Sequence, residues 1–238
     1  MFEPKPASAS TLSPAQSASS VDVAHLRSRF VGLCERLGTT VDAGAAFDAL
    51  VVRYDEPQRR VHTLARVTEL LARLDEATDC DDPDLVEAAL FFCEAVFDPR
   101  RHDNETRSAS LAVRTLAGLP RERAQRLRAL IHFTRDPLPT EDRDLALVHD
   151  VVLAVFGLAD AAYAQYEALM RAEYGWIAEA PYRMGRSRVL AAYLAREPLY
   201  LTAHFAATLE AQARANLHRT LSSYGHAIRI VATAADGS

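Results

Sequence analysis

One stretch constrains this chain more than any other. It is Ala88-Ala89-Leu90-Phe91-Phe92-Cys93-Glu94-Ala95-Val96-Phe97-Asp98-Pro99. The stretch follows Asp82-Pro83-Asp84, where Asp suits a helix cap and Pro the first helical position. A helix that is apolar nearly all round has no polar face to turn to water, so other elements must surround it. The chain therefore has to build its fold around this helix. One dipeptide breaks the apolar pattern. Cys93-Glu94 sets a carboxylate beside a thiol within the same predicted helix. Burying a charged carboxylate is costly unless it is paired, protonated or bound to a metal. The helix thus carries a site, or the remains of one.

Around it the periodicity predicts helix after helix. Ser20 is placed to cap a first helix whose apolar face is Val23, Leu26, Phe30, Leu33 and Leu37, ending at Gly38. A second runs from about Val41 to Arg53. A third starts after Pro57 and carries Val61, Leu64, Val67, Leu70, Leu71 and Leu74. Later helices fall at about 104–117, 120–134, 142–157, 159–174, 181–195 and 205–224. Asp98-Pro99, Asp136-Pro137 and Glu197-Pro198 mark breaks between elements. The one segment with any strand character is His226 to Val231, and it does not alter the reading. The fold class is all-α, a single bundle of about eight to ten helices joined by short loops. Residues 1–20 are Pro-, Ser- and Ala-rich without periodicity and are read as a disordered tail. The helical domain spans 21–225, and 226–238 form a C-terminal tail.

Composition narrows the function classes. With 238 residues, 49% of them apolar, the chain can bury a substantial core as one domain. The formal net charge of -5 and the interleaving of Arg with Asp and Glu speak against a nucleic-acid surface. No apolar run reaches membrane-spanning length, and the N-terminus lacks the apolar core of a signal peptide. Cys34, Cys80 and Cys93 lie far apart with no CxxC pair, which excludes a zinc ribbon or disulfide framework and suits a reducing cytosol. The expected partner is a small molecule.

Three segments in order carry a resemblance. They are Tyr54-Asp55-Glu56-Pro57-Gln58-Arg59-Arg60-Val61-His62-Thr63-Leu64, then Phe91 to Pro99 with Asp103-Asn104-Glu105 and Ser108, then Tyr182-Arg183-Met184-Gly185-Arg186-Ser187-Arg188-Val189-Leu190 leading to Leu199-Tyr200. Together they resemble a bacterial family of predicted metal-dependent phosphohydrolases of the HD superfamily. The similarity extends over most of residues 25 to 220.

The resemblance implies a helical core in which a His, a His-Asp pair and a later Asp hold a divalent metal. Such a metal lowers the pKa of a bound water that attacks a phosphoester. Carried over residue by residue, the first His is His62. The His-Asp pair falls on Cys93-Glu94, and the last Asp on Val152, with Asp150 matching the Asp before it. Gln58, Arg66 and Asp136 stand where the family has His, and Val61 where it has Tyr. Valine cannot ligate a metal, and a thiolate suits zinc better than magnesium or manganese.

Two readings follow. In the first the metal site is degraded, Cys93 is a small core residue, and the fold persists to bind a small anionic ligand or a partner. In the second a softer metal, zinc or iron rather than magnesium, is held by His62, Cys93 and Glu94 with His149 or Asp150, and phosphohydrolase activity persists. His149 lies three residues before Val152 on the same helical face. A third idea, Cys93 as a nucleophile activated by His62, needs the two side by side. Arg59, Arg66 and Arg186 are the candidate clamps for an anionic ligand. Without metal, Glu94 needs a cation, and the same three arginines are the candidates.

Overall fold

A computed structural model describes residues 21–77, 79–135 and 139–235, with side chains as far as Gly225. The expected N-terminal tail, its Ser20 cap and Asp136-Pro137 lie outside the described residues. The described residues form ten α-helices and no strand: α1 Val23–Leu37, α2 Ala43–Tyr54, α3 Leu64–Asp75, α4 Pro83–Phe92, α5 Asn104–Thr115, α6 Arg121–Phe133, α7 Arg143–Leu153, α8 Asp160–Glu173, α9 Glu179–Leu194 and α10 Ala203–Ala235. A 3-10 turn, Ala154–Gly157, follows α7. No single helix among them is long and apolar enough to cross a membrane.

The apolar helix α4 sits at the centre. Asp82 caps it by accepting from Leu85 N (3.1 Å), and Pro83 occupies its first turn. Every residue from Leu85 to Phe92 is buried, and α4 packs against α1, α3, α5, α6 and α7. Phe30 of α1 meets Phe47, Phe91 and Phe92, its contact with Phe91 edge-on at 5.1 Å. Each such ring buried whole stabilises the fold by roughly 1.5–3 kcal/mol. Asp22, whose carboxylate accepts from His25 N (2.9 Å), is the residue that caps α1.

Both helices that were expected to carry the site residues are shorter than the periodicity suggests. Cys93-Glu94 was expected inside α4, but α4 ends at Phe92 and the chain turns. The buried Arg59 guanidinium donates to the carbonyls of Glu94 (2.8 Å) and Ala95 (3.1 Å), and Ser108 Oγ accepts from Val96 N (3.0 Å). These bonds satisfy the backbone that a longer helix would have satisfied internally. At the other helix, α3 begins at Leu64 rather than just after Pro57. The N–H groups of Arg60, Val61 and His62 go instead to the Glu173 carboxylate (2.7, 2.8 and 3.2 Å).

The last turn of the helix expected over 142–157 tightens to 3-10 where Gly157 meets α10. A Cβ at Gly157 would stand 2.6 Å from Leu209 Cβ. The strand candidate His226 to Val231 is corrected: α10 runs through it without a break.

Candidate functional site

A cavity of about 650 Å³ opens where the loop before α3, the end of α4, α7 with its 3-10 turn, α8 and α9 converge. His62, Arg66, Cys93, Glu94, Val152 and Arg186 all line it. Arg59, His149 and Asp150 do not. Aromatic rings from α8, α9 and the loops, among them Phe97, Tyr166, Tyr174 and Tyr182, form much of the wall.

His62 is held from two sides. Its ring stacks on Phe97 with centroids 3.9 Å apart. Its Nδ1 donates to Glu173 Oε1, which fixes the tautomer because an ionised carboxylate only accepts. That leaves Nε2 as the nitrogen available to the cavity. Glu173 is buried at the last position of α8. Burial alone would raise its pKa. The His62 hydrogen bond and charge, with the N–H groups of Arg60 and Val61, outweigh burial and lower it to about 2. Glu173 was not singled out from sequence. A carboxylate at a helix C-terminus opposes the helix dipole, and that was the signal available.

Cys93 is a neutral thiol. Burial drives its pKa well above the ordinary value, the Glu94 charge adds to the rise, and Arg66 opposes it. Its Sγ lies 3.8 Å from the Leu90 carbonyl of its own helix. A thiol whose pKa is raised by burial is a weak nucleophile, so nothing in these surroundings activates the Cys93 sulfur for attack assisted by His62.

The expected cation partner of Glu94 is not found among the three arginines. Arg59 bonds the Glu94 backbone carbonyl rather than its carboxylate, and its ion pair is with Glu56 (3.1 Å). It is a buried strut between the loop before α3 and the end of α4, not an anion clamp. Arg186 is held by Glu167 through contacts of 2.6 and 3.2 Å. Arg66, on α3, donates to the Val152 carbonyl at 2.6 Å and lies 3.4 Å from Glu69. Its charge thus stands at the C-terminal end of α7, where the helix dipole favours a cation. Glu94 Oε2 is buried with no hydrogen-bond partner.

His149 and Asp150, the candidate replacement ligands, are committed elsewhere. The fully buried Asp150 carboxylate accepts from Leu201 N (2.8 Å), Thr202 N (2.7 Å) and Thr202 Oγ1 (2.7 Å). His149 Nδ1 bonds Asp150 (2.8 Å), and its Nε2 lies 3.2 Å from Arg196 Nη1. Together they anchor the loop before α10 to α7.

The donor set does not fit a metal. Among the described residues no three His, Cys, Asp or Glu side chains are gathered as ligands. His62 offers one nitrogen, Glu94 a carboxylate and Cys93 a buried thiol, while Val152 has no side-chain donor and its carbonyl is taken by Arg66. These donors are not drawn together into the coordination shell that zinc, iron or magnesium requires. Comparison of the chain with family models, with curated proteins and with solved structures finds no match in any of the three.

Proposed function

We propose that this protein is a non-hydrolytic, ligand-binding relative of the HD-superfamily phosphohydrolases, and that its cavity takes a small organic anion. The observation that carries this reading is Arg66. It lines the cavity at the position where the family has a His, only 7% exposed, with its guanidinium on the Val152 carbonyl. Val152 is itself the position the resemblance aligns with a ligating Asp. A fixed cation thus occupies the place where a metal would have carried the positive charge. Arg101, Arg135 and Arg186 also line the cavity, as do Glu94 and Glu105. A walled cavity of this size, with few convergent charges and many rings, has the character of a small-molecule site. Its cysteines are free thiols, which suits a cytosolic protein.

The test joins binding to metal analysis. Alkyl phosphates and carboxylates are titrated calorimetrically with and without chelator, and bound metal is measured. Binding should be indifferent to chelator and fall about tenfold or more in Arg66→Gln, a loss of at least 1.4 kcal/mol. A phosphoester panel with magnesium, manganese, iron or zinc should show no hydrolysis. About one zinc or iron per chain, lost in Cys93→Ala, would overturn the reading. Manganese-dependent hydrolysis lost in His62→Ala would do the same and restore the phosphohydrolase.

A further inference from the structure

Among the described residues, two side chains keep a buried polar atom without a hydrogen-bond partner: Glu94 Oε2 and Tyr182 Oη. Both residues line the same cavity. Tyr182 is only 5% exposed, and its hydroxyl, which the Tyr224 phenol approaches, keeps no hydrogen bond of good geometry among the described residues. Acidic residues that are buried whole are saturated by the protein. Glu87 takes Arg29 and Arg36, Asp144 takes two backbone N–H groups and Arg126, and Glu173 takes His62 and three N–H groups. Unsatisfied buried groups are rare in folded proteins and retain their desolvation cost. Their concentration on one cavity is therefore a property of that cavity, not of loose packing.

Arg66 reaches in from α3 and Arg186 from α9, and the Tyr166 phenol feels both guanidiniums. Arg186 also lies over the Tyr166 ring, 5.7 Å from its centroid. Tyr182 stands one helical turn before Arg186, on the same face of α9. Among the described residues Arg59, Arg66 and Arg186 pair with Glu56, Glu69 and Glu167 and not with the Glu94 carboxylate. An N–H cation is the donor that best offsets such a charge, because charge-assisted bonds to carboxylate are the strong ones.

We propose that the cavity is built for an amphoteric ligand, an organic anion that also carries an amine. Its anionic group lies against Arg66 and Arg186, its ammonium on Glu94 Oε2, and Tyr182 Oη donates to a further acceptor on the ligand. The proposal rests on the anion-binding reading of the same cavity and adds the second pole.

The probes are ω-aminoalkyl phosphates and the plain alkyl phosphates of matching chain length, titrated calorimetrically into the unmodified protein near neutral pH. The aminoalkyl phosphate should bind about tenfold tighter than its plain counterpart at the best chain length. Glu94→Gln should erase that difference, bringing the aminoalkyl phosphate and its plain counterpart to the same affinity, with a thermal melt confirming that the variant folds. If both probe types bind equally and Arg66→Gln abolishes both, the anion site stands and the amphoteric proposal is overturned. If neither type binds, both are overturned. The comparison of matched probes on the unmodified chain decides the proposal even if the variant does not fold.

Discussion

The same residue type meets opposite fates along the central helix and just beyond it. In the middle of α4, Glu87 is buried and held at both oxygens, by Arg29 Nε (2.6 Å) and Arg36 Nη2 (2.6 Å) from α1. Two turns further on, just past the end of the helix, Glu94 keeps a buried oxygen that none of the described residues satisfies. Glu87 faces a neighbouring helix, whereas Glu94 faces a cavity. Burial alone therefore does not mark a site. A buried carboxylate that the scaffold saturates is part of the scaffold. One that the scaffold leaves unsaturated is held for something else, and its cost is carried by the surrounding fold.

Glu173 puts this distinction under the greatest strain, because it is saturated and also touches the cavity through His62. Glu173→Ala removes the acceptor of three backbone N–H groups and of the His62 ring. Breaking such a buried pair from one side costs about 3–5 kcal/mol, and urea unfolding at neutral pH should read a loss of that order. A loss below about 1 kcal/mol, the range of an exposed pair, would break the rule that saturation marks scaffold.

The same carboxylate predicts an acid response. Its folded pKa of about 2 lies below the ordinary 4.5, so its contribution is complete above the ordinary value. It is lost as pH falls towards the folded value, and the loss amounts to roughly 3 kcal/mol. Unfolding curves between neutral pH and pH about 2 should therefore converge for the native protein and Glu173→Ala. Parallel curves would show that Glu173 titrates normally in the fold.

Glu87→Gln comes next. It keeps the shape but removes the charge that Arg29 and Arg36 share. The expected loss is about 1.5–3 kcal/mol, the range for hydrogen bonds to charged groups, read by the same unfolding experiment. Asp75 and Asp84 remain to hold the two arginines, which keeps the effect below that at Glu173.

How far the sequence reached follows the same line between local and distant partners. The apolar stripes and the Asp82-Pro83 start lie within the helices they define, so the all-α reading and most helix positions were legible. The start of α3 and the end of α4 were not. Glu173 sets the first from 111 to 113 residues away, and Arg59 the second from 35 and 36 away. No local pattern announces such bonds. The resemblance brought His62, Cys93, Glu94 and Val152 to attention, and these four do line one cavity. The resemblance also points to Asp150, and helical spacing from Val152 to His149, but the side chains of both serve the loop before α10. Helical spacing restricts which face a residue occupies, but it does not say what waits opposite that face. Arg66 stands out among the three candidate partners of Glu94 because it takes the place of a family His and could supply the charge of a metal. The structure gives Arg66 a carbonyl instead, because α7 ends within its reach.

The smallest expected effect is the sharpest test of the comparison. Glu94→Gln makes the same chemical change as Glu87→Gln, at the residue the scaffold leaves unsatisfied. No arginine loses a partner, since Arg59, Arg66 and Arg186 all bond elsewhere. The substitution removes a partly desolvated charge that none of these arginines offsets, but it adds an amide that needs its own acceptors. These terms oppose each other, and the net change should lie within about 1 kcal/mol of zero, on the stabilising side. Measured in parallel, the two substitutions should therefore move the urea midpoint in opposite directions. If Glu94→Gln costs as much as Glu87→Gln, then Glu94 is as firmly paired as Glu87, and the contrast that singles out the cavity disappears. If Glu94→Gln stabilises the fold while abolishing the preference for an amine on the ligand, stability has been exchanged for function at a single carboxylate.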